Sequence, residues 1–135
     1  MSVYLDASAL AKRYTTAELD RDAAERILLD DPAWVTARHT YVELHSAISR
    51  SVGERELGAA LGLFHDDWMR VAIVELDAEL CVAAGSIATS LGVKALDALH
   101  LAAAERAGGV ALPFVTFDRK QGHAARQLGF TVFGV

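Results

Sequence analysis

Short apolar runs recur along the chain, separated by longer stretches whose apolar positions fall three and four residues apart. The short runs predict strands at residues 2–5, 33–36, 71–75, 113–117 and 130–133. Helical spacing is met at 7–14, 17–30, 39–52, 54–68, 77–91, 95–107 and 119–128. Strands alternating with helices of this length are the pattern of crossover units around a mostly parallel sheet, an α/β architecture. Punctuation supports the limits: Asp31-Pro32 closes one helix, Gly92 follows another, Gly108-Gly109 ends a third and Gly129 precedes the last strand. Between 37 and 70 no strand signal occurs. That interval reads as a helical hairpin turning near Val52-Gly53-Glu54.

Composition narrows the class. The 135 residues suffice for one domain and are too few for two sizeable cores. With 53% hydrophobic and 23% charged residues the chain has the balance of a packed globular protein. It carries no internal repeat, low-complexity tract or dividing linker, so residues 1–135 are expected to form a single domain. No apolar run approaches 18 residues and no basic segment precedes an apolar stretch at the N-terminus. Neither a membrane span nor a signal peptide is therefore expected, and the expected location is the cytoplasm. One cysteine, Cys81, excludes an internal disulfide and is expected to be a buried neutral thiol between Leu80 and Val82. The formal charge of −5 argues against holding nucleic acid by broad electrostatic attraction. A nucleic-acid enzyme whose carboxylates surround a cation remains compatible with that count.

Most of the 18 acidic residues suit a solvated face, as do Glu18, Asp20, Asp22 and Glu25 beside Arg21 and Arg26. Four do not. Asp6 ends the first apolar strand, and Asp118 ends Phe114-Val115-Thr116-Phe117. Ligands of open parallel sheets bind beyond the carboxyl ends of strands, although Asp before a helix is equally a favoured cap. Asp97 stands among small and apolar residues in Ala-Leu-Asp-Ala-Leu-His-Leu-Ala-Ala-Ala, where an ionised group needs a partner. His100 follows one turn later and reads as a core histidine or a donor behind a site rather than a metal ligand. Glu43 lies off the apolar stripe of Tyr41, Leu44, Ile48 and Val52, with Ser46 and Ala47 leaving room for approach.

The order of these residues along the chain has a counterpart. Val3-Tyr4-Leu5-Asp6-Ala7-Ser8-Ala9-Leu10, Tyr41-Val42-Glu43-Leu44, Leu96-Asp97-Ala98-Leu99-His100 and Phe114-Val115-Thr116-Phe117-Asp118 resemble the successive motifs of PIN-domain ribonucleases, in particular the short toxins of VapBC toxin–antitoxin pairs. The resemblance implies a three-layer α/β/α sandwich with a central, mostly parallel sheet of about five strands. It implies convergence of the catalytic set Asp6, Glu43, Asp97 and Asp118 at the sheet's carboxyl edge, where Asp6, Asp97 and Asp118 hold Mg²⁺ or Mn²⁺. Ser8 and Thr116 match positions that support the site through their hydroxyls. Ser8 alone is as readily a helix-capping residue. An RNA substrate, a cognate antitoxin protein, a homodimer and contact with DNA only through the antitoxin follow from the same resemblance.

Two carboxylates about 4 Å apart repel by roughly 4 kcal/mol at an effective dielectric of about 20. Four together call for protonation or a divalent cation. With oxygen ligands, no second cysteine and no histidine cluster evident in the sequence, Mg²⁺ or Mn²⁺ is favoured over zinc. Glu43 is read as a ligand or a general base. Arg119 and Lys120 are candidates for substrate phosphates or an ordinary solvated first turn, and Lys12 and Arg13 have the same two readings. The segment 57–64 with Phe64 and Trp68 is either a docking surface for the antitoxin or a plain core helix. Two other classes stay open: a haloacid-dehalogenase-like phosphohydrolase, which normally needs a second Asp where Ser8 stands, and a non-catalytic PIN-like binding module.

Overall fold

Among the described residues every strand pairing is parallel, and the strands lie in the order β3-β2-β1-β4-β5. The computed structural model describes residues 2–15, 22, 25–26 and 33–135. Its strands are β1 (Ser2–Leu5), β2 (Ala33–Ala37), β3 (Ala72–Val74), β4 (Phe114–Val115) and β5 (Val132–Phe133). The described helices are α1 (Ala7–Ala11), α2 (Thr40–Ser51), α3 (Glu54–Trp68), α4 (Ala78–Leu91), α5 (Ala95–Ala107) and α6 (Arg119–Gln127), with a short 3₁₀ turn at Gly109–Ala111. The helix expected over 17–30 and its Asp31-Pro32 boundary fall almost wholly outside the described residues. Among the described residues no single helix is long and apolar enough to cross a membrane.

Alternation along the central strands produces two separate cores. Val3 and Leu5 of β1 and Val115 of β4 face α1, α2 and α3, where they pack with Leu10, Tyr14, Leu44, Ile48 and Phe64. Tyr4 and Phe114 point to the other side and join Leu80, Ile87, Leu101, Ala125 and Phe130 beneath α4, α5 and α6. Because both faces of β1 and β4 are covered, β1 from Val3 onward and all of β4 are apolar, as expected of buried parallel strands. The result is the three-layer α/β/α sandwich. Helix α5 carries Ala98, Ala102, Ala103 and Ala104 on its buried side, so its backbone can lie close to the sheet and to α4.

The expected helical hairpin is present as α2 and α3, joined through Val52 and Gly53. Phe64 is fully buried in the core under α3, which answers for part of the 57–64 segment as core packing, while Leu63 stays 37% exposed. Several elements are shorter than expected. Strand β4 ends at Val115, where the Thr116 hydroxyl accepts the N–H of Asp118 and turns the chain. Cys81 corrects the sequence expectation: Leu80, Ala84 and Ile87 form the buried stripe of α4, and Cys81 falls next to it on the exposed side.

Arg13 also takes a role not foreseen. Asp67 of α3, 1% exposed, accepts from Arg13 Nε at 2.8 Å, Tyr14 Oη at 2.6 Å and Arg70 at 2.8 Å. Arg13 additionally lies over the Trp34 ring. This ties the end of α1 to α3, and it commits Arg13 to an internal carboxylate rather than to a substrate phosphate. Replacing Asp67 by alanine leaves the Tyr14 hydroxyl buried and Arg13 uncompensated, and should cost about 3 kcal/mol of stability. The midpoint of urea unfolding measures it, with Asp67→Asn, which keeps an acceptor for Tyr14, losing less.

Candidate active site at the carboxyl edge of the sheet

The first crossover runs from β1 toward β2 and β3, and the chain then returns to place β4 on the opposite side of β1. The carboxyl ends of β1 and β4 thus flank the point where strand order reverses, the place where open parallel sheets form a crevice. Register pairs Leu5 with Val115, so Asp6 and Thr116 leave the sheet side by side.

Asp6 is 3% exposed and fully hydrogen-bonded. Its Oδ1 caps α1 by accepting the Ala9 N–H at 3.0 Å and also accepts the Ser8 hydroxyl at 2.7 Å. Its Oδ2 accepts the Thr116 hydroxyl at 2.5 Å. The Ser8 oxygen in turn accepts the Phe117 N–H at 2.9 Å, and the two hydroxyl oxygens stand 3.2 Å apart. Ser8 and Thr116 therefore lace the end of β1 to the corner after β4. Gly134 closes this corner from behind: its φ of +104° and a Cβ position 2.1 Å from the Thr116 carbonyl oxygen admit no side chain. Burial pushes the Asp6 carboxyl above its ordinary pKa, against the opposing effects of His100 and the hydroxyl donors.

Asp118 caps α6, its Oδ1 accepting the N–H groups of Lys120 and Gln121. Capping engages one oxygen only. Asp97, in the first turn of α5, is half-buried, and the Gln121 side chain of α6 donates to its backbone carbonyl at 3.0 Å. That bond holds the first turn of α5 to the first turn of α6. Burial raises the Asp97 pKa, and the charges of Asp118 and Glu43 raise it further, while Lys94 opposes them. Asp97 and Asp118 share a cavity of about 480 Å³ with Lys94, Arg119, Lys120 and His123.

Glu43 projects from α2 into a second cavity, of about 600 Å³, lined by Ser8, His39, Ser46, Ala47 and Arg50. It is not a plain surface glutamate. His100 Nε2 lies 2.8 Å from its Oε1, and His39 Nε2 lies 3.4 Å from the same atom. A histidine cluster is not visible in the sequence because His39 and His100 are 61 positions apart and meet only when β2 and α5 pack together. The other ring nitrogen of His100 lies 2.7 Å from the Tyr4 hydroxyl. Burial keeps the Tyr4 proton in place, so Tyr4 donates to Nδ1 and His100 Nε2–H donates to the Glu43 carboxylate. Burial lowers both imidazoles to about 4, which leaves them neutral at pH 7. Burial also raises the Glu43 carboxyl, with His39 opposing.

The acidic groups are thus coupled in series. Asp6 acts on His100, His100 holds Glu43, and Glu43 and Asp118 both act on Asp97. Neither histidine supplies the positive charge that would offset them. Asp97 and Asp118 share one cavity, Glu43 lines the other, and Asp6 is buried among its hydrogen-bond donors; among the described residues the group that gathers three ligand atoms within 4.8 Å is His39, Glu43 and His100.

Residues 3–127 match the PIN domain model, and the chain belongs to that family. Ribonuclease VapC35 of Mycobacterium tuberculosis is 34% identical over 96% of this chain and 94% of its own. Among solved structures, Mycobacterium tuberculosis VapC20, a sarcin–ricin loop cleaving toxin, has a TM-score of 0.72 at 20% identity and covers 98% of each chain. VapBC2 from Rickettsia felis, bound to a DNA fragment from its promoter, has a TM-score of 0.68 at 16% identity, over 98% of this chain and 97% of that one.

The buried histidines set a pH dependence. Their folded pKa values lie below the ordinary 6.5, so the unfolded chain binds more protons between pH 6.5 and about 4 and stability falls as pH drops through that window. In His39→Gln one such proton disappears. The slope of unfolding free energy against pH near 5.5 should become less steep by about 1.2 kcal/mol per pH unit relative to wild type, measured by denaturant titration at several pH values.

Proposed function

We propose that this chain is a metal-dependent endoribonuclease toxin which hydrolyses RNA phosphodiester bonds at Asp6, Glu43, Asp97 and Asp118 and is neutralised by a cognate antitoxin. The observation that carries the reading is the coupled carboxylate series at the strand-order reversal, lacking a protonated histidine to balance it and opening beside Arg119 and Lys120. In this reading Asp6, Asp97 and Asp118 hold Mg²⁺ or Mn²⁺. When bound, such an ion makes water a better nucleophile at neutral pH and stabilises charge on the phosphate.

The protein's own residues supply the rest. Ser8 and Thr116 hold the Asp6 carboxylate in one orientation. Glu43 takes the proton of the attacking water, and neutral His100 fixes the carboxylate by donating to one oxygen. Arg119 and Lys120, at the positive start of α6, receive substrate phosphates. Hydrolysis by water leaves a 5′-phosphate and a free 3′-hydroxyl, and does not use the RNA 2′-hydroxyl as nucleophile. The choice of RNA over DNA rests on the ribonuclease relatives.

Against a haloacid-dehalogenase-like reaction stands the state of Asp6: buried, with both oxygens hydrogen-bonded, it is poorly placed to attack phosphorus. Ser8 occupies the position of the second Asp and serves Asp6 instead. The antitoxin, a homodimer of this single domain, DNA contact through the antitoxin alone and a cytoplasmic site of action complete the proposal by family likeness.

Incubating the protein with structured RNA in EDTA, Mg²⁺ or Mn²⁺ tests the reading. Cleavage should require the ion and fall by roughly 10²-fold or more in Asp6→Asn and Asp97→Asn. Equal cleavage by wild type and both variants would refute the site, and equal cleavage in EDTA would refute metal dependence.

A further inference from the structure

We propose that His39, Glu43 and His100 form a second cation site, selective for a late first-row transition ion such as Zn²⁺ and separate from the all-oxygen carboxylate set. Their three ligand atoms lie within 4.8 Å of one another. Glu43 Oε1 is 2.8 Å from His100 Nε2 and 3.4 Å from His39 Nε2. A tetrahedral zinc ion with bonds of about 2.0–2.1 Å holds its ligand atoms about 3.3 Å apart. Both glutamate–histidine separations, 2.8 and 3.4 Å, lie close to that value, and the two histidine nitrogens lie within 4.8 Å of each other. Two imidazoles and one carboxylate are a ligand set that zinc uses with an open fourth position, and nitrogen donors favour zinc over Mg²⁺.

The scaffold is suited to the task. His39 and Glu43 are separated by four positions at the start of α2, so one helical turn presents both on the same face. His100 is fixed from α5 by Tyr4. When zinc displaces the proton from His100 Nε2, that proton moves to Nδ1 and the Tyr4 oxygen accepts it, giving the ligating imidazole a hydrogen-bonded support. His39 gives up its bond to the Leu96 carbonyl, and its proton passes to Nδ1, which is buried and without an acceptor in the metal-free protein, a cost that the zinc–nitrogen bond must exceed. The fourth coordination position faces the 600 Å³ cavity, which provides access and room for water.

The site's consequence rests on the function proposed above: zinc bound to Glu43 removes the base from the attacking water, so zinc inhibits cleavage even with Mg²⁺ in excess. The site itself does not depend on that reading.

The exposed His45–His65 pair, whose Nε2 atoms are 3.0 Å apart, and the exposed Cys81 are competing places for zinc. The test therefore uses the full chain carrying His65→Ala and Cys81→Ser, titrated with Zn²⁺ against a chromophoric chelator in excess Mg²⁺. One equivalent should bind, and His39→Gln or Glu43→Gln should weaken it by roughly tenfold or more, while Asp118→Asn leaves it unchanged. Circular dichroism confirms that each variant is folded. Absence of binding, binding indifferent to His39→Gln and Glu43→Gln, or equal weakening by Asp118→Asn overturns the proposal. The titration decides the site whether or not any RNA is cut.

Discussion

The hydrogen bonds that hold the Asp6 carboxylate between Ser8 and Thr116 organise this molecule. They join the first strand to the fourth, which lies more than a hundred residues away, at the one place in the sheet where the order of strands reverses. A buried carboxylate is costly unless its hydrogen bonds are satisfied, and here three donors meet it. Because Thr116 also receives the Asp118 N–H, fixing Asp6 simultaneously fixes the corner from which Asp118 and α6 begin. The Gln121 bond then carries that placement to the Asp97 turn.

Around this fixed point the site is under electrostatic tension. Burial pushes Asp6, Glu43 and Asp97 toward protonation, like charges add to it at Asp97, and the nearby imidazoles stay neutral because they too are buried. Arg13, at the end of the same segment, is committed to Asp67. The fold thus concentrates negative charge, and the cations that line the Asp97 and Asp118 cavity are Lys94, Arg119 and Lys120. Two chemically different cavities open on the two sides: one with Arg119, Lys120 and His123, the other with the histidine–glutamate group.

Much of this was legible in the sequence because local pattern carries it. The apolar run before Asp6, the alanine-rich face of α5 and the glycine after α4 each follow from spacing and backbone preference, and they place strands and helices within a few residues. The strand-end position of Asp6 is legible for the same reason, whereas Asp118 stands beyond the end of β4 as the cap of α6. Contacts between distant segments were not. No periodicity announces that His39 and His100 meet at Glu43, nor that Asp67 draws Arg13 inward, since these depend on how α1, α2, α3 and α5 pack. Cys81 failed for a different reason: apolar neighbours suggested burial, whereas helical geometry turns it one step away from the Leu80, Ala84 and Ile87 stripe.

The proposed function turns on Asp6, Asp97 and Asp118 sharing a cation while the histidine pair stands outside that set. Anomalous scattering from crystals grown with Mn²⁺ addresses it directly. A peak is expected about 2.1 Å from carboxylate oxygens of Asp6, Asp97 and Asp118. No peak there, or a single peak bound by His39 and His100 with Asp97 and Asp118 untouched, would contradict it.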